Sequence, residues 1–361
     1  MKTRIRFLEF LLLAAALLAG RPAGAATLEE KIGQLIMVGF EGRDFSELDT
    51  RLRQQLSRGE IGGLLFLPRN LGEPDHLRRL VAEIKAQPVP RPLLLAIDQE
   101  GGPVGRLNAK RGFRDFPSAR RAARELTPAA AGGVYLEMAR LLKEIGFNLN
   151  LAPVVDLNIN PDSPAIGRKE RAFAADPATV VRYASAFIRA HRRAGLLTAL
   201  KHYPGHGSAA EDSHLGLTDV TATWTAAELE PYRRLIRAGL ADAVLTAHVI
   251  QAGVDPDWPA SLSTRHLKEN LRGKLGFRGV IITDDLQMGA VSRLYSFEEA
   301  VVRALDAGSD ILLFANYFTP DREAPARAGR AILAAVRAGR LSPERIDQSY
   351  QRVLRFKSRL R

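Results

Sequence analysis

The chain has 361 residues, 46% hydrophobic and 25% charged, which is an ordinary composition with ample material for a large buried core. It contains no cysteine, so disulfides, thiolate catalysis, Cys-based zinc or iron–sulfur sites and a lipobox are excluded. The formal net charge of +12 is carried by Lys and Arg scattered among acids in helix-like segments such as "RRLVAEIK" and "RAHRRAG". No basic run carries interleaved aromatics, so solvated helix faces are expected and nucleic acid is not an expected partner.

Residues 1–25 have the form of an export signal. "MKTRIRF" is basic, "LLLAAALLAG" is apolar but short for a membrane span, and Ala23–Ala25 offers a small-residue cleavage site before Ala26. An uncleaved interfacial anchor is the alternative. The segment's Lys2, Arg4, Arg6 and Arg21 against Glu9 make +3, leaving the mature chain at +9 of the +12.

Beyond it, eight short apolar runs alternate with amphipathic segments. They fall at 33–40, 62–67, 91–98, 148–158, 195–203, 243–250, 279–286 and 310–316. Continuous Val, Leu and Ile fit parallel strands buried on both faces. Helices are expected from Asp176-Pro177 to Gly195, through "TAAELEPYRRLIRAGLAD" and through "SFEEAVVRALDAGSD", each ended by glycine. The rhythm predicts an α/β fold, a (β/α)8 TIM barrel spanning 26–361 as one domain. A doubly wound open sheet is the runner-up, weakened because no G-x-G-x-x-G follows the first strand.

In a barrel, the residues that end each strand line the active face. Those positions hold Asp98-Gln99-Glu100, Asp156 and Asn158, Lys201-His202, His248, and Asp284-Asp285. The apolar runs thus end repeatedly in polar groups, which predicts one polar site sized for a sugar or a phosphate. "KHYPGHGSAAEDSHLGL" (201–217) concentrates His202, His206 and His214, three of the seven histidines. Zinc is disfavoured there, because Pro204 and Gly205 deny His202 and His206 a shared helix face and no H-E-x-x-H is present. There is no G-x-S-x-G elbow and no P-loop. Asp212 and His214, two apart, suit an acid–base pair in which the carboxylate orients the ring, but a local structural hydrogen bond explains them as well. Asp284 is a candidate nucleophile on a rigid strand end. Equally, one of the adjacent aspartates can simply cap the next helix.

Taken together, "IDQEGGPVGRL", "KHYPGHGSAAEDSHLGL" and "GVIITDDLQMGA" strongly resemble the single-domain bacterial β-N-acetylhexosaminidases of glycoside hydrolase family 3, over about residues 27–355. The resemblance implies a TIM barrel and a retaining double displacement that releases terminal β-linked N-acetylglucosamine (GlcNAc), with no cofactor and no metal. It gives Asp284 the role of nucleophile, His214 that of general acid/base, and Asp212 that of orienting His214. Asp98 and Arg106 match sugar-binding positions, and Lys201 and His202 match hydroxyl- and acetamido-side contacts. Arg171 matches a substrate arginine, although its stretch is longer than the family form and leaves Arg168 or Lys169 as alternatives. Gly205, Gly207 and the small residues after them suit a flap.

The resemblance implies carbohydrate partners, GlcNAc-containing muropeptides or chito-oligosaccharides. A monomer in the periplasm or outside the cell, with at most weak membrane association, is expected. A phosphorylase, a family 3 β-glycosidase of broader specificity and a silent sugar-binding module are the competing expectations.

Overall fold

The computed structural model describes residues 26–213, 216–317 and 319–360. The expected export signal lies outside the described residues.

Eight parallel strands close into a barrel: β1 (Ile36–Gly39), β2 (Gly63–Phe66), β3 (Leu94–Ile97), β4 (Leu149–Asn150), β5 (Leu197–Tyr203), β6 (Ala243–Thr246), β7 (Val280–Asp285) and β8 (Ile311–Phe314). Each pairs with its neighbours in sequence, and β1 pairs with β8 to close the ring. Nearly every strand residue is buried, as apolar runs covered on both faces must be. The expected (β/α)8 architecture is therefore the observed one.

The elements between the strands obey local rules. Asp176 caps the helix Pro177–Arg193 by accepting from Thr179 N, and Gly195 follows at φ 77°. Ser296 caps Phe297–Ala307 in the same way, with Gly308 after it. Between β6 and β7 the helical element is a π-helix, Arg265–Lys274, which no periodicity signals.

Every expected run is trimmed at one or both ends in the structure, and two are broken for identifiable reasons. The run 148–158 pairs as a strand only at Leu149–Asn150. Pro153 has no N–H to give a ladder, and the chain leaves the sheet there, keeping a single bridge from Val154 to Lys201. The run 243–250 leaves the barrel after Thr246, and Val249–Ile250 pairs instead with Thr218–Asp219. Both departures occur at the C-terminal end of the barrel, and both free backbone for loops there.

Candidate active site

A cavity of about 390 Å³ opens at the C-terminal end of the strands. That lies within the range of small-molecule sites, about 300–1,000 Å³. Asp98, Arg106, Arg171, Lys201, His202 and Asp284, six of the eight residues expected from sequence, all line it. They come from β5, from β7 and from the segments after β3 and β4, and closing the barrel brings them together.

The charged wall begins just after β3. Gln99–Gly101 turns back on Val104–Gly105 as a short hairpin, and this excursion carries Glu100 and Arg106 over the barrel mouth. Its turn requires glycine: Gly101 has φ 99°, and a Cβ there would lie 2.2 Å from Pro117 O. Glu100 is the centre of the wall. It takes a two-point contact from Arg171 (Nε to Oε2 2.8 Å, Nη2 to Oε1 2.7 Å) and lies 2.7 Å from Lys201 Nζ. Lys201 Nζ also donates to Asp98 Oδ1 at 2.6 Å. Burial opposes charge on Glu100, but Arg171 and Lys201 outweigh it and hold its carboxyl far below the usual range. Burial likewise opposes charge on Arg171, and the attraction of Glu100 reverses it, keeping the guanidinium firmly protonated.

Arg171 continues the network to His202. Its Nη2 lies 3.2 Å from His202 Nε2. A guanidinium only donates, so Nε2 accepts and the ring hydrogen sits on Nδ1, 2.8 Å from Asp156 Oδ2. Of the alternatives weighed for the substrate arginine, Arg168 is two-thirds exposed near Asp162. Lys169 lines the cavity and lies 3.7 Å from Asp212 Oδ2. Arg171 is thus the buried, aimed arginine and Lys169 a rim cation.

The two adjacent aspartates are separated by geometry. Asp285 is buried, and its Oδ1 accepts from Gln287 N at 3.1 Å and Ala315 N at 2.9 Å. It ties β7 to β8. Asp284 is half-buried, faces the cavity, and accepts from Asp285 N at 2.9 Å. His248 turns away, its Nε2 against Asp285 O and its Nδ1 against Ser261.

The loop after β5 is pinned from beneath. Asp156 Oδ1 accepts from the backbone N–H of both His202 and His206, at 3.1 and 3.0 Å. Glu228 accepts from Gly207 N at 3.2 Å and Ser208 Oγ at 2.7 Å. His206 Nε2 lies 3.0 Å from Ser213 Oγ, which fixes the residue between Asp212 and His214. Burial pushes His206 down to about 4, so the ring is neutral near pH 7. Flexibility is the expectation for Gly207. The structure gives it close approach instead, since a Cβ would lie 1.6 Å from Leu157 O. His214 lies outside the described residues, and with it the geometry of the expected Asp212–His214 pair.

Sequence reasoning assigned no role to Glu100, Asp156, Glu228 or Tyr317. Glu100 and Asp156 follow β3 and β4 by three and six residues, in the polar stretches that end the apolar runs. Glu228 is 20 residues beyond Ser208, and no local signal marks it. Among the described residues no group of three His, Asp or Glu is arranged to hold a metal, and no helix is long and apolar enough to cross a membrane.

A closed parallel barrel with carboxylates and cations around a sugar-sized cavity at its C-terminal face is an arrangement suited to a glycoside hydrolase. Residues 27–356 match the model of the glycosyl hydrolase family 3 N-terminal domain, and the chain belongs to that family. It is 40% identical over 276 residues to a beta-hexosaminidase from Tolumonas auensis, covering 75% of this chain and 80% of that one. A beta-hexosaminidase from Pseudomonas aeruginosa is 40% identical over 271 residues, 73% of this chain and 78% of its own. Among solved structures, a family 3 beta-N-acetylglucosaminidase from Paenibacillus sp. superposes with a TM-score of 0.86 at 37% identity, covering 93% of this chain. This chain spans 63% of that protein's length. A beta-N-acetylhexosaminidase from Beutenbergia cavernae gives 0.84 at 30% identity, covering 92% of this chain and 99% of that one.

Proposed function

We propose that this glycoside hydrolase is a retaining exo-acting β-N-acetylglucosaminidase that removes terminal β-linked GlcNAc from peptidoglycan or chitin-like fragments. The observation that carries the reading is the largely enclosed Asp98–Lys201–Glu100–Arg171 array on the wall of the cavity that Asp284 also lines. Alternating charges held this rigidly suit the hydroxyls of one sugar ring, since each hydroxyl both donates and accepts. Names of the similar proteins support GlcNAc as that sugar.

In this mechanism Asp284 attacks the anomeric carbon, and the bond to the leaving oxygen breaks as the glycosyl-enzyme ester forms. His214 gives its proton to that oxygen, and Asp212 stabilises the imidazolium or turns the ring toward the bond. Water then gives a proton back to His214 and attacks the same carbon, releasing Asp284. Two inversions retain the configuration. The enzyme acts after export on residues 1–25, in the periplasm or beyond.

The test compares p-nitrophenyl β-GlcNAc with p-nitrophenyl β-glucoside, with and without inorganic phosphate, using protein from Ala26 and an Asp284→Asn control. Preference for GlcNAc, indifference to phosphate and loss in the control are expected. Preference for glucoside, or a requirement for phosphate, would overturn the assignment.

A further inference from the structure

The cavity lining is chemically mixed. Besides the charged residues it includes Leu67, Pro68, Pro103, Val104, Met288 and Tyr317. Tyr317 is 53% exposed, and among the described residues it is the one aromatic in the set of exposed large hydrophobic side chains. Water contact over half of a large ring gains little for folding.

The residue before it, Asn316, is nevertheless held by several bonds. Asn316 has φ 53°, a left-handed conformation that Asn tolerates better than most residues. The Asn316 N–H donates to Gln287 Oε1 at 2.7 Å, and its Nδ2 donates to Gly39 O at 3.0 Å. Its Oδ1 accepts from Gln287 Nε2 at 3.0 Å and from Asp321 N at 3.1 Å. Gln287 belongs to the turn directly after Asp284-Asp285, so the mount of Tyr317 is tied to the strand end that bears the candidate nucleophile. The Arg69 guanidinium carbon lies 5.9 Å from the Tyr317 ring centroid. Arg69 is itself fixed by Phe40 O at 2.8 Å and Ala315 O at 2.9 Å. A rigidly placed, solvent-facing ring at a cavity mouth has the properties of a stacking surface.

We propose that Tyr317 is the platform for the sugar ring on the leaving-group side of the scissile bond, which makes this enzyme selective for substrates whose aglycone is a pyranose. The proposal rests on the hydrolase reading above. One face of a β-linked pyranose presents C–H groups, which pack on an aromatic ring while the equatorial hydroxyls stay in water. A leaving group without a ring gains nothing there.

The experiment measures kcat/KM on N,N′-diacetylchitobiose, which has a ring aglycone, and on N-acetyl-β-glucosaminyl fluoride, which has none. Wild type, Tyr317→Ala and Tyr317→Phe are compared. The ratio of the two values should fall about tenfold in Tyr317→Ala, through KM, and stay at the wild-type level in Tyr317→Phe. An unchanged ratio in Tyr317→Ala overturns the platform. Calorimetric binding of chitobiose and of GlcNAc to Asp284→Asn protein gives a second readout that needs no turnover. Tyr317→Ala should remove the affinity gained from the second ring. Chitobiose binding that ignores Tyr317→Ala sinks the platform alone, whereas no binding of either sugar overturns both the platform and the hydrolase reading.

Discussion

The two ends of the barrel carry similar charged groups in different settings. At the N-terminal end, Asp310 is buried under Arg272 (2.5 Å), Arg352 (3.1 Å) and Ser349 (2.6 Å), and it also accepts from Ile281 N. Asp242 is held by Arg192, Arg359 and Thr198. These carboxylates tie outer helices to strand beginnings and line none of the cavity described above. At the C-terminal end, Glu100 is held just as tightly by Arg171 and Lys201, but their far sides face a cavity. Ion pairing by itself therefore does not mark a functional site in this fold. The open space beside the pair does, and the strand direction decides which end has it.

That contrast can be broken from either side. Asp284→Asn should lower kcat by roughly 10⁴-fold or more while leaving the melting temperature near wild type, because the site is half-buried and the substitution keeps the side chain's size. Steady-state kinetics beside calorimetry checks both halves. Asp310→Ala should do the reverse. Arg272, Arg352 and the more distant Arg345 (3.8 Å) lose their shared carboxylate, costing about 3–5 kcal/mol of stability in urea unfolding, with kcat unchanged below the transition. A loss of kcat in folded Asp310→Ala protein would erase the distinction between the ends.

A third case is Glu228, buried under the active face but not in the cavity. Burial pushes it up to about 7 from 4.5. Its folded value is raised, so its contribution is full below pH 4.5 and is lost as pH rises through 7. That amounts to about 3 kcal/mol. Denaturation of Glu228→Gln relative to wild type should therefore improve by that much between pH 4.5 and 8. A difference that stays flat across this range would contradict the assignment. The smallest expected effect is that of Glu100→Gln, which leaves Arg171 and Lys201 underpaired but still within the wall. A roughly 10²-fold fall in kcat/KM on aryl GlcNAc substrates is expected, together with a lowered melting temperature, because two enclosed cations lose a shared carboxylate.

Much of this is legible in the sequence. Apolar runs such as "LLLAID" and "GVIITDD" end in acids because a parallel strand is buried along its length and surfaces only at its C-terminal end. Period and endpoint together reveal both barrel and site. Local sequence carries no signal for contacts made across long separations. The link from Glu228 to Ser208 exists only once the chain has folded back, and so does that from Gln287 to Asn316. Pro153 cut short a strand that hydropathy alone extends to 158, since hydropathy does not register a missing N–H. Asp284 and Asp285 are equivalent in sequence and become distinct only when β8 supplies Ala315 N to one of them.

The most direct test of the central assignment is to trap the intermediate. Protein from Ala26 would be incubated with a 5-fluoro-GlcNAc fluoride, whose second step is slow, then digested and mapped by mass spectrometry. The mechanism predicts one glycosyl unit on the peptide containing "TDDLQM", located at Asp284. A label on another carboxylate, or turnover that releases the inverted anomer with no label, would contradict it.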